Sequence, residues 1–169
     1  GKTTQARRLV EALASHGISA LATREPGGAP GAEEIRGLLV SGAPGRWESL
    51  TEALLHFAAR REHLERTIRP ALAEGTWVVC DRFTDSTMAY QGYAQGLGRD
   101  SVEQLAAVVQ KGLQPDLTLI LDLPVEAGLL REQQRDRYAR MGVAFHTKVR
   151  DAFRDIARRD PQRCVVIDA

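Results

Sequence analysis

The sequence predicts an α/β fold, a three-layer parallel sheet with helices on both faces. Two observations carry this. Helical stretches alternate with short, nearly unbroken apolar runs at 77–80, 117–121 and 164–167, the mark of strands covered on both faces. Asp81-Arg82 directly follows the first of these runs, at the strand end where sheets of this kind bind ligands.

The elements follow in order. Residues 2–16 read as a helix with Leu9, Val10 and Leu13 on one stripe, stopped by Gly17. Residues 18–23 form a short strand. Pro26, Gly27, Gly28, Pro30 and Gly31 make 24–32 a loop. A helix is expected over 33–40, a turn over 41–46, and a long helix over 49–74. On the long helix Leu50, Leu54, Phe57, Leu64, Ile68 and Leu72 lie near one stripe. Strand 77–80 ends at Asp81-Arg82. Helices over 85–94 and 101–112 flank a turn with Gly96 and Gly98. Strand 117–121, helices 125–131 and 136–159, and strand 164–167 complete the chain. No repeat or linker interrupts the 169 residues, so one domain spanning 1–169 is expected.

Composition removes several function classes. The formal net charge is +1, against a general nucleic-acid or acidic-membrane binder. No apolar run reaches the ~18–20 residues of a membrane span, and nothing at the start reads as a signal peptide. A soluble, cytoplasmic protein is expected. Charge is uneven: residues 131–163 hold 10 basic and 5 acidic groups, while only three of the 23 cations are lysine. That segment is either an anion clamp or a solvated helix face. Cys80 and Cys164 match no zinc or redox spacing and are expected to be buried, reduced thiols.

Four groupings point to chemistry. Gly1-Lys2-Thr3-Thr4 at the head of a helix matches the tail of the phosphate loop G-x-x-x-x-G-K-[ST]. There backbone N–H groups and the helix dipole favour phosphate, Lys2 neutralises it, and the Thr3 hydroxyl ligates Mg²⁺. The bland alternative is a helix start with a surface lysine. Asp81 at a strand end suits Mg²⁺, and Arg82 suits a bidentate phosphate contact; a strand-end salt bridge is the alternative. Phe57 and Arg61 are four apart on a helix and share a face. They suit a stacked planar base and its carbonyl, with Arg60 solvated to the side; a core ring with a snorkelling arginine competes. Thr87, Tyr90 and Gln91 share a face that suits sugar and base edges, or simply solvent.

Read together, these pieces closely resemble the thymidylate kinase family. The resemblance runs in family order through Gly1–Gln5, Thr23-Arg24-Glu25-Pro26-Gly27-Gly28, Leu55–Arg61, Val79–Phe83, Ser86-Thr87, Ala89-Tyr90-Gln91-Gly92, Pro115–Thr118, Leu121-Asp122, Asp136-Arg137-Tyr138 and Val166–Ala169. It covers essentially the whole chain. It implies a phosphate-loop kinase domain that transfers the γ-phosphoryl group of ATP to dTMP, with Mg²⁺, in a cytoplasmic homodimer.

The resemblance also implies roles. Gly1, Lys2, Thr3 and Thr4 hold ATP phosphates, and Thr3 and Asp81 serve the metal. Arg24 lies near the acceptor phosphate and Arg82 holds it. Phe57 stacks on thymine and Arg61 bonds its carbonyl. Thr87 and Gln91 lie at the base, and Tyr90 under the deoxyribose, where it disfavours a 2′-hydroxyl. Arg131, Arg135 and Arg137 are candidate cations of a lid around 131–140, Arg131 also touching ATP. That lid lacks the family's usual glycine-bearing stretch, and Ala139 stands where a glutamate is usual. The first strand and the leading half of the phosphate loop are expected ahead of Gly1, and a further helix after Ala169. A kinase for another nucleotide, or a nucleotide-dependent switch, are the competing functions. Phe57, Arg61 and Tyr90 speak against the first.

Overall fold

In the computed structural model, residues 1–131 and 137–169 are described. They form two compact units, Gly1–Leu39 with Leu55–Phe83, and Val40–Leu54 with Thr84–Ala169. Each has a pair of parallel strands as its centre.

In the first unit, helix α1 (Lys2–Ser15) leads to strand β1 (Ala20–Arg24) and then helix α2 (Pro30–Val40). Helix α3 (Ser49–His63) enters this unit at Leu55 and continues through a wide π-helical turn, Leu64–Ile68, into α4 (Arg69–Ala73). Gly75, at φ 73°, then turns the chain into strand β2 (Trp77–Asp81). Strands β1 and β2 pair in register from Ala20 opposite Trp77 to Arg24 opposite Asp81. The pairing brings Arg24 and Asp81 level at the carboxyl end, and the Glu25 N–H donates to the Asp81 carbonyl at 3.0 Å.

In the second unit, α5 (Thr84–Thr87) runs into a π-helical segment, Met88–Ala94. After it come α6 (Arg99–Gln110), strand β3 (Thr118–Asp122), α7 (Val125–Arg131), a 3₁₀ turn (Ala139–Met141), α8 (Gly142–Arg159) and strand β4 (Cys164–Asp168). Strands β3 and β4 pair from Thr118 opposite Cys164 to Asp122 opposite Asp168. Helix α8 packs on the π-helical segment and on β4. It turns Val149, Ala152, Ile156 and Ala157 inward, one stripe at helical spacing.

The strands and most helices stand where the sequence puts them, within two or three residues. Two expectations change. The strands are not covered throughout: Trp77, Leu119, Val165, Val166 and Ile167 stay exposed, each sheet having two strands among the described residues. The buried stripe of α3 is also shifted: it keeps Phe57 and Leu64 but runs through Ala53 and Arg60, while Leu50, Leu54 and Leu72 are exposed. Among the described residues no helix is long and apolar enough to cross a membrane.

Asp122, at the carboxyl end of β3, accepts hydrogen bonds from Arg150 Nε (2.7 Å), a second Arg150 nitrogen (3.0 Å) and Arg154 (2.7 Å). These guanidinium groups, Arg150 first, hold its carboxyl down at about 2 against an ordinary 3.8. A folded-state value below the unfolded one contributes stability that is complete above about pH 4 and is lost as pH falls toward 2. Discounted for the exposure of Arg154, the contribution is about 1–2 kcal/mol. Asp122→Asn is therefore expected to lower Tm at pH 7 by about 3–6 °C, the gap narrowing at pH 2. A gap independent of pH would contradict the assignment.

Candidate functional site

In the first unit the strand ends and the head of α1 gather the predicted phosphate residues. Gly1 caps α1, its carbonyl accepting from the N–H groups of Thr4 (3.1 Å) and Gln5 (3.2 Å). Lys2 and Thr3 are exposed in this first turn. The Thr3 hydroxyl donates to Asp81 Oδ2 at 2.5 Å. Asp81 Oδ1 is buried and has no hydrogen-bond partner among the described residues. A hydroxyl beside a carboxylate with a spare oxygen is a hard-oxygen donor pair, which fits Mg²⁺.

Arg82 follows Asp81 with φ 71°, in the left-handed region that non-glycine residues rarely enter. Arg24 lies nearly half exposed and pairs with Glu33 at 3.2 Å. Glu33 also accepts from the Gly28 N–H at 3.0 Å, and that bond, ahead of Arg24, lowers its carboxyl pKa. Gly28 itself has φ 84°, and a Cβ there would sit 2.6 Å from Thr23 Oγ1 and press on the His63 ring. Only glycine fits that position.

Behind this surface lies a buried polar network that the sequence reading missed. Glu25 accepts from Arg60 Nε at 2.7 Å, and His63 Nδ1 lies 3.2 Å from its other oxygen. His63 Nε2 lies 2.7 Å from Thr23 Oγ1. With its proton on Nδ1, the ring donates to the carboxylate and accepts from the threonine. The Arg60 guanidinium sits 4.8 Å from the Phe57 ring centre and 5.0 Å from that of Phe83.

This corrects the reading of α3. Arg60, placed in solvent by the sequence stripe, is 2 % exposed, whereas Arg61 is partly open and bridges to Glu65 at 2.7 Å. Phe57 is 1 % exposed, and its ring faces the Arg60 guanidinium. The physical reason is the shifted stripe. A charge can occupy it because Glu25 compensates it, and composition alone gives no sign of that pairing.

In the second unit Thr87 and Gln91 are buried, not solvent-facing, and Tyr90 is half-buried. Gln91 Nε2 donates to Glu52 at 2.7 Å, and Gln95 Nε2 to the same oxygen at 2.7 Å. The Oε1 atoms of both glutamines are buried without a partner among the described residues. Tyr90 is met edge-on by Tyr138, with ring centres 5.6 Å apart, and by Phe145 at 5.9 Å. Arg137 is fully buried, ion-paired to Glu52 and 4.6 Å from the Tyr138 ring. Arg137, one of the candidate lid cations, is thus a buried, ion-paired arginine here. Arg131 is exposed at the end of α7. Arg135 and Asp136 lie outside the described residues. Glu52 was also missed; its only sequence signal is its place beside Ala53 on α3.

Parallel strand pairs, a phosphate-loop tail at a helix head and an acid–arginine pair at a strand end define a nucleotide-dependent phosphotransferase of the phosphate-loop α/β class. Comparison with known proteins specifies it further. The family model described as thymidylate kinase matches residues 1–169. The thymidylate kinase of Caulobacter vibrioides is 54% identical, the match covering 100% of this chain and 83% of that protein. That of Dinoroseobacter shibae is also 54% identical, over 99% of this chain and 83% of its own length. The crystal structure of thymidylate kinase from Ehrlichia chaffeensis superposes with a TM-score of 0.80 at 38% identity, over 99% of this chain and 80% of that one. The chain belongs to the thymidylate kinase family, and so to the kinases of nucleotide biosynthesis.

Proposed function

We propose that the protein transfers the γ-phosphoryl group of ATP to dTMP, giving ADP and dTDP, as a cytoplasmic homodimer. The observation that carries this reading is the set Thr3, Asp81 and Arg82 at one strand end in a chain of this family. Gly1, Lys2, Thr3 and Thr4 hold the ATP phosphates at the α1 head, where N–H groups and dipole favour anions. Thr3 and Asp81 hold Mg²⁺, which neutralises phosphate charge when bound. Arg82 grips the dTMP phosphate and Arg24 stands by it. The acceptor is already a phosphate oxygen, so no strong general base is needed; positioning and charge neutralisation do the work.

Thr87 and Gln91 meet the base, and the buried Gln91 Oε1 supports that role as an acceptor in need of a donor. Tyr90 lies under the deoxyribose. On α3 we assign the base contact to Arg60. A buried, compensated charge beside a strand end is a functional candidate, whereas an exposed i,i+4 pair such as Arg61–Glu65 is ordinary surface. Arg131 and Arg135 are the remaining lid cations.

The test is a coupled ADP-release assay over dTMP, dUMP, AMP, CMP and GMP. dTMP should be the preferred acceptor; preference for AMP, CMP or GMP would refute the reading. Run on two variants, the same assay separates the α3 arginines. Arg60→Ala should raise the KM for dTMP about tenfold or more and Arg61→Ala no more than about twofold.

A further inference from the structure

The turn at Arg82 is held from three sides. Before it, the Asp81 carbonyl accepts from the Glu25 N–H at 3.0 Å. After it, the Phe83 ring lies under the Arg60 guanidinium at 5.0 Å. At the residue itself, the Cys80 thiol lies 3.0 Å from the Arg82 carbonyl oxygen and donates to it. A left-handed backbone at a non-glycine residue persists only where its surroundings over-determine it. The φ of 71° at Arg82 is such a case. The thiol acts on the carbonyl of Arg82 itself.

From this geometry we propose that Cys80 is a positioning residue. Its S–H, donated to the Arg82 carbonyl, sets the left-handed turn that aims the guanidinium at the dTMP phosphate. The proposal rests on the reading of Arg82 given above and deepens it.

The thiol suits the task. Alternate residues of β2 point to opposite faces. A side chain at 80 that reaches back to the carbonyl of 82 needs length and a donor. Serine keeps the donor on a shorter bond; alanine and valine keep neither.

Two measurements test this. The first is vibrational. In Cys164→Ala, Cys80 is the only thiol, since the chain has two cysteines. Its S–H stretch should lie below that of a free thiol, the sign of donation. An unshifted band overturns the proposal whatever Arg82 binds.

The second is kinetic. Cys80→Ala should raise the KM for dTMP by about five- to tenfold, the loss of one positioning hydrogen bond. The KM for ATP should stay within about twofold, and Cys80→Ser should restore most of the difference. In the double variant Cys80→Ala/Arg82→Ala the dTMP KM should equal that of Arg82→Ala alone, because the thiol acts through the arginine. Additive effects, or equal rises in both KM values, overturn the proposal. A normal dTMP KM in Arg82→Ala alone overturns instead the reading of Arg82 as the phosphate arginine.

Discussion

Arg82→Ala is expected to raise the KM for dTMP by about a hundredfold or more while leaving the KM for ATP within about threefold. The asymmetry follows from position. Arg82 stands past the carboxyl end of β2, one residue after Asp81. On the proposed reading the ATP phosphates are held by the head of α1 and Lys2. A planar guanidinium makes two parallel bonds to a phosphate and no other cation copies its fork, so Arg82→Lys should recover only part of the loss. Steady-state kinetics with each substrate varied in turn would decide. Equal losses toward both substrates would mean that Arg82 maintains the fold of the strand end instead of holding dTMP.

The second large effect concerns stability. Glu52 and Arg137 are both fully buried and ion-paired, and Glu52 also accepts from Gln91 and Gln95. Removing one partner of such a pair leaves a charge in the interior with nothing to compensate it, at a cost of about 3–5 kcal/mol. Glu52→Ala is thus expected to lower Tm by about 10 °C. The double variant Glu52→Leu/Arg137→Met removes both charges and should recover most of that loss, since an apolar replacement of a buried pair is often neutral. Calorimetry of the single and double variants checks this. A Tm within about 2 °C of the parent in Glu52→Ala would show that Arg137 is solvated in solution.

The parts of the fold that were legible in the sequence are those written in apolar residues. Trp77–Cys80 and Cys164–Ile167 read as strands because a run of β-branched and apolar side chains bounded by polar residues has few other uses. Gly17 and Gly75 marked helix ends because each turns at positive φ. Thr3 and Asp81, singled out in the sequence by the motif and by the strand end, do meet in the structure.

What stayed hidden was written in charges. Glu25, Glu52, Arg60, His63 and Arg137 are all buried, and every one looks like surface to a hydrophobic pattern. Each is inside only because a partner far along the chain is inside too: Arg60 lies 35 residues from Glu25, and Arg137 lies 85 from Glu52. No local window shows such a pair. Counting Leu50 and Leu54 as core then skewed the α3 stripe and put Arg61 on it instead of Arg60. The wide turns at 64–68 and 88–94 were equally invisible, since extra residues per turn leave no mark in composition.

The left-handed turn at residue 82 has a consequence for anyone redesigning this chain. Glycine adopts φ 71° without the strain that a side chain incurs there. A scheme that ranks substitutions by folded-state energy alone would favour removing the arginine at 82, and on the proposed reading it would discard the grip on the acceptor with it. On that reading thermal robustness and turnover pull in opposite directions at this position.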